Sequence, residues 1–153
     1  MLHVVLFQPE IPHNTGAIGR LCLATGARLH LIKPLGFSLD DKQLKRAGLD
    51  YWREVDVHVW DSWEELHAQA GPDTEFHFIE CHGQTDHWDA DLTTPECFLV
   101  FGPETRSIPP SVIDPTRCLR IPMQGTRSLN LATAAGIVMY EALRQRKRAG
   151  IAS

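Results

Sequence analysis

Two segments of this sequence combine a short apolar run with glycine and proline, and together they could form a small-molecule site. The first runs from Leu99 to Pro109 and the second from Ile121 to Leu131. Each begins like a buried strand and then breaks where side chains are small, so that main-chain N–H and C=O groups can face a ligand. Taken singly, Gly102 and Gly125 fit ordinary turns after a strand. The pairing of two such segments favours a binding pocket.

Several familiar catalytic and binding patterns are missing from the sequence. It contains no G-x-G-x-x-G, no G-x-x-x-x-G-K-[ST] and no G-x-S-x-G, which argues against an ordinary dinucleotide fold, a P-loop or a hydrolase nucleophile. His77, His82 and His87, with Cys81, are the nearest group of potential metal ligands, but spacings of five fit neither helix nor strand geometry. We expect no metal site. Because there is no C-x-x-C pair, we also expect reduced, mostly buried thiols at Cys22, Cys81, Cys97 and Cys118.

Charge is distributed unevenly along the chain. Residues 50–96 carry thirteen acidic side chains and one basic one, Arg53, whereas the rest carries fourteen basic and six acidic side chains, within a net charge of −4. A segregated basic surface can bind nucleic acid despite a negative total. Two solvated faces of opposite sign explain the pattern equally well. The basic set includes Lys42, Lys45, Arg46, Arg106, Arg127 and the run from Arg144 to Arg148.

Length and composition predict one domain over residues 1–153. The chain is 43% hydrophobic and contains no linker or low-complexity tract. No window approaches the roughly 18 apolar residues of a membrane span, and the first residues lack a signal-peptide pattern. We therefore expect a cytoplasmic protein.

Predicted strands alternate with predicted helices, which favours an α/β fold with a mostly parallel sheet covered by helices on both faces. The strands are predicted at 2–7, 28–32, 55–59, 76–81, 97–101 and 118–121. A loop is predicted at 8–14, with helices at 15–25, 40–47, 62–70 and from Ser128 or Leu131 to Arg148. Lys42, Lys45 and Arg46 share one side of the second helix.

The last predicted helix is apolar on nearly every side in its first half. Ala132, Ala134, Ala135 and Gly136 lie among larger apolar residues, so the helix could approach other backbones closely. A second copy of the chain would cover such a helix, which favours a homodimer; burial beneath a local loop is the alternative.

Three separated segments resemble, in the same order, the three motifs of the SPOUT RNA methyltransferases, in the branch that methylates ribose 2′-hydroxyls. They are Asn14–Arg20, Phe101–Arg106, and Ile121–Met123 with Arg127–Leu131. The resemblance covers essentially the whole chain. Pro9–Gly16, Asp40–Lys42 and Arg46–Tyr51 are similar to the minimal members that methylate the wobble nucleotide of tRNA, cytidine or modified uridine at position 34.

This resemblance implies an α/β fold with a deep C-terminal trefoil knot, formed by residues from about 75 to 148. It implies S-adenosyl-L-methionine bound in the knot and a homodimer built around the first and last helices, with Tyr140 at the subunit interface. The implied RNA partner is the anticodon stem-loop of tRNA. No membrane and no metal are implied.

The resemblance also assigns residues. The cofactor would contact Ile79, Gly83, Gly102, Glu104, Ile121, Met123 and Ser128, with the adenine flanked by Ile79, Leu99 and Ile121. The catalytic group would be Arg20, Asn14, Ser128 and Asn130. Independently of the resemblance, basic side chains could contact RNA phosphates, namely Lys42, Lys45, Arg46, Arg106, Arg127 and the run from Arg144 to Arg148. Simpler interpretations exist: Arg20 as a surface residue paired with an acid, and Asn130 as a helix N-cap. Glu104 would link to Arg20 or Arg106, or face solvent.

The implied reaction transfers a methyl group from a sulfonium to a ribose hydroxyl. Because the sulfonium is already a good leaving group, the protein must chiefly align the reacting atoms and help remove a weakly acidic proton. A guanidinium rarely loses its proton, so Arg20 suits stabilisation of the developing alkoxide, or positioning of a phosphate, better than the role of a base.

One segment departs from the wobble-nucleotide subfamily. Met123–Arg127 is about one residue shorter than the corresponding loop, which bears on substrate preference. The alternatives are a 2′-O-methyltransferase acting on another tRNA or rRNA ribose, or a non-catalytic knot protein that binds RNA or cofactor.

Overall fold

The computed structural model describes residues 1–47 and 49–152. In this part of the chain, seven strands form one sheet: β1 (Leu2–Phe7), β2 (Arg28–Ile32), β3 (Val57–Trp60), β4 (Phe76–Ile79), β5 (Thr85–Asp86), β6 (Cys97–Phe101) and β7 (Cys118–Arg120). The α-helices are α1 (Pro12–Thr25), α2 (Lys42–Ala47), α3 (Trp63–Ala70) and α4 (Leu131–Arg148). Short 3₁₀ helices lie at Leu49–Glu54, His87–Asp89 and Pro115–Arg117.

The sheet is parallel throughout the described residues, with strand order β3-β2-β1-β6-β4-β7-β5. One face packs on α1 and α4 through a core that includes Ile18, Leu99 and Val138. The opposite face packs on α3 through Trp63 and Leu66. The predicted parallel sheet with helices on both faces is therefore confirmed. Its strands are apolar on both faces for the same reason.

The predicted bounds of β1, β2 and β6 are confirmed, and α4 begins at Leu131, the second of the two starts considered. The predicted loop over 8–14 is wrong in its second half, because α1 begins at Pro12. Proline is tolerated in the first turn, where its missing N–H needs no helical partner. The second helix begins at Lys42 rather than at residue 40, because the Asp41 carboxylate accepts hydrogen bonds from the Gln43 and Leu44 N–H groups.

Three other strands differ from their predicted bounds. The predicted strand at 55–59 is shifted to Val57–Trp60, and those at 76–81 and 118–121 end at Ile79 and Arg120. The two-residue strand β5 and the three 3₁₀ helices were not predicted. Elements this short carry too few residues to show a periodic pattern.

The parallel arrangement decides where a site can form. The carboxyl ends of β1, β6, β4 and β7 lie at one edge of the sheet, so the segments that follow these strands gather there. Among the described residues, no helix is long and apolar enough to cross a membrane. Cys22, Cys97 and Cys118 are buried and Cys81 is exposed, which confirms that the cysteines are mostly buried.

Candidate active site

Four chain segments meet at the carboxyl edge of the sheet and enclose a cavity of about 420 Å³. They are the start of α1, residues 79–81 after β4, residues 101–107 after β6, and residues 121–134, which lead from β7 into α4. Cavities of about 300–1,000 Å³ are typical small-molecule sites. The two glycine- and proline-containing segments singled out in the sequence thus form one pocket.

Six of the seven residues predicted to contact a cofactor line this cavity, namely Ile79, Gly102, Glu104, Ile121, Met123 and Ser128. Gly83 does not belong to the described cavity wall. A Cβ atom at residue 83 would lie 2.5 Å from the carbonyl carbon of Leu119, so glycine is needed where the chain after β4 passes β7. Gly83 therefore has a packing role in this structure, and its predicted contact with the cofactor stays a prediction.

The cavity wall combines apolar side chains with main-chain groups. Ile79, Phe101, Ile121 and Met123 all contribute to it. Leu99 does not: it is fully buried in the core beneath, so its predicted contact with an adenine ring is wrong. An apolar wall with few polar groups is suited to an aromatic base whose orientation is fixed by a small number of hydrogen bonds.

Three polar side chains connect the walls of the cavity. Asn130 Nδ2 donates to Asn14 Oδ1 at 3.0 Å, and Asn14 Nδ2 donates to Glu104 Oε1 at 3.4 Å. The other end of the chain of hydrogen bonds is the start of α4, where Asn130 Oδ1 accepts from the N–H groups of Ala132 and Thr133. Asn130 is therefore both the N-cap of α4 and a partner of Asn14.

Glu104 lies at the centre of this arrangement. Besides Asn14, its carboxylate accepts the main-chain N–H groups of Glu10 at 2.8 Å and Ile11 at 3.1 Å. The predicted link from Glu104 to Arg20 or Arg106 is absent from the described residues. The carboxylate instead fixes the entry to α1 against the segment after β6.

Glu10 and Thr105 make a second set of contacts between the segment before α1 and the segment after β6, and no sequence pattern indicated it. The Glu10 carboxylate accepts the Thr105 N–H at 2.9 Å and the Thr105 hydroxyl at 2.8 Å. These hydrogen bonds lower the pKa of Glu10.

Gln8, which has a positive φ of 48°, accepts a hydrogen bond from Arg106 Nη2 at 3.3 Å. A non-glycine residue in this conformation is strained and is held by its surroundings.

Glu80 is a further cavity residue that was not predicted. Its Oε1 accepts the Ile108 N–H at 2.6 Å, and burial raises its pKa. Because β4 ends at Ile79, the side chain of the next residue can turn into the cavity. An acidic residue directly after a buried apolar strand was the signal that could have identified it.

Arg20 does not line the cavity within the described chain. It is exposed on α1, six residues after Asn14. Lys42, Lys45 and Arg46 are likewise exposed on α2, which packs against α1. Arg20 and these three residues thus lie on two helices that pack against each other, and the start of α1 lines the cavity.

The other predicted phosphate contacts are scattered. Arg106 lines the cavity, and Arg127 lines a second cavity of about 540 Å³ that shares Ile121 and Met123 with the first. Arg144 forms an ion pair with Glu141 at 2.7 Å, and this contact lowers the Glu141 pKa to about 2.

The run from Arg144 to Arg148 is not a uniform basic surface. Arg146 is 1% exposed and donates to the Thr94 carbonyl at 2.6 Å, so its predicted contact with phosphate is wrong. The side chain lies under the chain that precedes β6, where the main-chain carbonyls of Thr94 and Pro95 accept its hydrogen bonds.

Part of α4 remains uncovered in the single chain. Tyr140 is 54% exposed and Ile137 is 38% exposed, and they lie three positions apart on the helix. Residues at this spacing share one helical face. Ile137 and Tyr140 thus form an apolar part of the α4 surface that the chain's own core does not cover.

The described residues contain no group of three or more histidine, cysteine, aspartate or glutamate side chains arranged to hold a metal ion.

Comparison with known sequences finds relatives that share one name. A Bacillus subtilis protein, provisionally named a tRNA (cytidine(34)-2′-O)-methyltransferase, is 55% identical over 149 residues, which cover 94% of this chain and 92% of the relative. A Methylovorus glucosotrophus protein named tRNA (cytidine(34)-2′-O)-methyltransferase is 47% identical over 154 residues, which cover 98% of this chain and 99% of the relative.

The solved structures that are similar to this chain include methyltransferases as well. One described as giving structural insights into the 2-OH methylation of C/U34 on tRNA has a TM-score of 0.86 at 44% identity and covers 97% of both chains. The SpoU methyltransferase AviRb from Streptomyces viridochromogenes, in complex with the cofactor AdoMet, has a TM-score of 0.79 at 30% identity, over 97% of this chain and 61% of that one. The model of the SpoU rRNA Methylase family matches residues 1–140, and the chain therefore belongs to that family.

Proposed function

We propose that this protein transfers a methyl group from S-adenosyl-L-methionine to the ribose 2′-hydroxyl of the wobble nucleotide of tRNA, cytidine or modified uridine at position 34. The observation that carries the proposal is the cavity at the carboxyl edge of the sheet, which gathers residues from all three motif segments. Relatives that match nearly the whole chain bear the name of this activity. Because its substrate is tRNA, the enzyme would act in the cytoplasm.

The residues of the cavity fit S-adenosylmethionine. Ile79, Ile121 and Met123 offer an apolar surface to the adenine, and Gly102 keeps the segment after β6 open to main-chain contact. A Cβ atom at residue 102 would lie 3.0 Å from Ile108 Cγ1, so a side chain there would crowd the wall. When bound, this cofactor supplies an activated methyl group on a positively charged sulfur.

The side chains of the protein have positioning and electrostatic roles in this proposal. Asn14, Asn130 and Glu104 form one hydrogen-bonded unit that fixes α1 relative to the cavity. Ser128, exposed at the cavity wall, would hold a substrate or cofactor group. Aligning the reacting atoms in advance lowers the activation barrier of such transfers by a large amount. The rigid unit of Asn14, Asn130 and Glu104 would therefore be the main contribution of the fold to the rate.

Arg20 would stabilise the alkoxide that develops as the ribose hydroxyl loses its proton. Guanidinium groups keep their proton in proteins, so Arg20 would act as a cation and not as a base. Because Arg20 lies outside the cavity of its own chain, it would serve the cavity of a second copy. We therefore propose a homodimer in which each subunit completes the site of the other.

The dimer interface would include the exposed face of α4. Ile137 and Tyr140 present apolar surface there, and the Tyr140 hydroxyl needs a hydrogen-bond partner when it is covered. Tyr140→Asp should yield a folded monomer by light scattering. A monomer that binds the cofactor and methylates tRNA at the wild-type rate would contradict the shared site.

The chain between about residues 75 and 148 would form a deep trefoil knot. Two contacts support this topology. The segment after β4 passes against the backbone of Leu119 at Gly83, and Ala90 and Leu92 hold the end of α4 through Gln145. Threaded chains are rare, so general topology rules favour the unknotted path.

The anticodon stem-loop would be held by cations beside the cavity. Lys42, Lys45 and Arg46 are exposed on α2, and Arg106 and Arg127 lie at the two neighbouring cavities. Arg144 would contribute less than these, because its ion pair with Glu141 already satisfies it. Contacts of this kind position an RNA without specifying its sequence.

The decisive experiment incubates the purified protein with S-adenosylmethionine and unmethylated tRNA and maps 2′-O-methylated nucleosides by nuclease digestion and mass spectrometry. Methylation confined to nucleotide 34 is the expected result. Methylation of another ribose would keep the chemistry and change the substrate. No methylation, with cofactor binding intact and with fully modified and unmodified tRNAs both tried, would favour a protein that binds without catalysis.

The role of Arg20 has a separate test. Arg20→Ala should reduce kcat by about 100-fold or more, because it removes the charge that stabilises the transition state, while the Kd for the cofactor stays unchanged. Arg28→Ala is the matched control: it removes an arginine that pairs with Asp56 at 2.7 Å, away from the cavity. Equal activity of the two variants would remove Arg20 from the mechanism.

A further inference from the structure

One carboxylate in the cavity has little compensation for its charge. The Glu80 side chain is 10% exposed, and its Oε1 accepts a hydrogen bond from the Ile108 N–H. The same oxygen would lie 3.4 Å from a Cβ atom at residue 102, which places it directly beside Gly102 in the cavity wall. The charge is thus held at the main-chain surface where a cofactor would lie.

Glu104, the other acidic residue of the wall, is different. Its carboxylate accepts N–H donors from Glu10, Ile11 and Asn14, which spread its negative charge. It is therefore engaged within the protein and has little capacity left for a cation.

Glu80, by contrast, accepts one short hydrogen bond, from the Ile108 N–H, and lacks the three N–H donors that Glu104 has. The nearest basic group is His82, whose Nδ1 lies 3.9 Å from Glu80 Oε2 and whose side chain is 62% exposed. Among the described residues, no lysine or arginine forms an ion pair with Glu80. Burial without a countercharge raises the pKa of Glu80. A buried anion of this kind gains stability when a cation enters the cavity.

We propose that Glu80 is a specificity determinant that recognises the positive charge of the sulfonium, so that the cavity binds S-adenosylmethionine more tightly than its neutral product S-adenosylhomocysteine. This inference rests on the proposed function. The two molecules differ by one methyl group and one charge. A carboxylate close to the cofactor distinguishes them by charge, and the loss of that attraction after transfer favours product release.

The test compares three ligands by isothermal titration calorimetry. They are S-adenosylmethionine, S-adenosylhomocysteine and sinefungin, an analogue that carries an amine in place of the sulfonium and is cationic. Glu80→Gln is the informative variant, because its amide oxygen can still accept the Ile108 N–H while the charge is removed. Glu64→Gln, on exposed α3 surface outside this cavity, controls for the change in net charge.

We expect Glu80→Gln to weaken the binding of both cationic ligands by about tenfold and that of S-adenosylhomocysteine by less than about twofold. The control should bind all three like the wild type. A melting temperature within a few degrees of the wild-type value would show that the variant is folded.

Two results would overturn the inference while leaving the proposed function intact. One is an equal loss of affinity for all three ligands in Glu80→Gln, which would mean that Glu80 only holds the segment around Ile108 or contacts a group common to them. The other needs no variant: wild-type protein that binds S-adenosylhomocysteine as tightly as S-adenosylmethionine. Wild-type protein that binds none of the three would overturn the proposed function and the inference together.

Discussion

Two of the hydrogen-bonded side-chain networks among the described residues differ in what they face. At the carboxyl edge of the sheet, Asn130, Asn14 and Glu104 connect three segments around the cavity. On the face covered by α3, a second network lies between β1, β2 and β3. There Trp60 Nε1 donates to His30 Nδ1 at 3.0 Å, His30 and His3 share a 2.9 Å contact, and His3 Nε2 contacts Glu96 Oε2 at 2.5 Å.

The direction of the hydrogen bonds in the histidine network follows from its ends. The Trp60 indole can only donate, so His30 Nδ1 must accept and His30 Nε2 must carry the proton. That proton is donated to His3 Nδ1, which leaves His3 Nε2 to donate to the Glu96 carboxylate. Both imidazoles are therefore neutral, and every buried nitrogen in the network is satisfied.

The two networks are expected to serve different purposes, the histidine network stability and the cavity network activity. The histidine network has His3 and His30 almost fully buried and offers no group to a ligand, so it fixes how β1, β2 and β3 pack. The cavity network has the same kind of hydrogen bonds, but its residues line the proposed site. Breaking the first should lower stability, and breaking the second should lower activity.

The largest effect is expected for Asn14→Ala. The change leaves the Asn130 amide without its acceptor and Glu104 without one donor. The hydrogen bonds that fix the start of α1 relative to the start of α4 and to the segment after β6 are then lost. We expect kcat/KM for tRNA methylation to fall by about 100-fold, with the protein still folded at 25 °C. Steady-state assays with S-adenosylmethionine and tRNA, together with a thermal melt, measure both quantities. Activity within about threefold of the wild type would show that the two networks have the same structural role.

His30→Leu should give the opposite result. The substitution leaves the Trp60 N–H without an acceptor and His3 Nδ1 without a donor, which should cost about 2–3 kcal/mol of unfolding free energy. Urea unfolding measures this loss. At a temperature where the variant is folded, its methylation rate should match that of the wild type, and a large fall in rate would contradict the separation.

The histidine network also makes stability depend on pH. Burial lowers the pKa of His30 to about 3, helped by the positive charge that His3 and His58 would carry if protonated, and burial likewise lowers the pKa of His3. Unfolded histidine titrates near about 6.5, so the unfolded chain takes up protons first as the pH falls. The stabilisation is therefore complete above about pH 6.5 and declines below it towards pH 3.

For His30 alone, the unfolding free energy should fall by about 1.4 kcal/mol between pH 7.5 and pH 5.5. Urea titrations at these two pH values test the size of the change. The His30→Leu variant is the control, and its pH dependence should be smaller by about the same amount. An unchanged slope in that variant would mean that other groups cause the acid sensitivity.

The same comparison explains what could be predicted from sequence. β6 is apolar throughout, and β1 and β2 are apolar apart from His3, Arg28 and His30. Their bounds were predicted because a buried parallel strand forms a short, mostly apolar run that can be recognised from the local sequence alone. The cavity wall at Gly102 and Ile121 was found from the pairing of two glycine- and proline-containing segments and from the resemblance to a family.

The remaining contacts join residues that are far apart in the sequence, and a local sequence pattern cannot predict such contacts. Glu104 and Glu10 meet because β1 and β6 are neighbours in the sheet, and Gly83 is a packing residue only because β7 passes beside it. Arg146 belongs to a basic run in the sequence, yet the chain before β6 buries it. Each of these depends on strand order, which the apolar pattern does not specify.

The smallest effect is expected for Asn130→Asp, which separates the two roles of one residue. The aspartate keeps an oxygen for the Ala132 and Thr133 N–H groups, and its charge suits a helix N-terminus, so stability should change by less than about 0.5 kcal/mol. It cannot donate to Asn14, and we expect kcat/KM to fall by about three- to tenfold. Urea unfolding and steady-state assays on the same preparation measure both effects. If the activity were unchanged, the N-cap alone would explain Asn130, and the cavity network would begin at Asn14; if the stability fell with the activity, the hydrogen bond between the two asparagines would belong to the structural frame, like the histidine network on the opposite face.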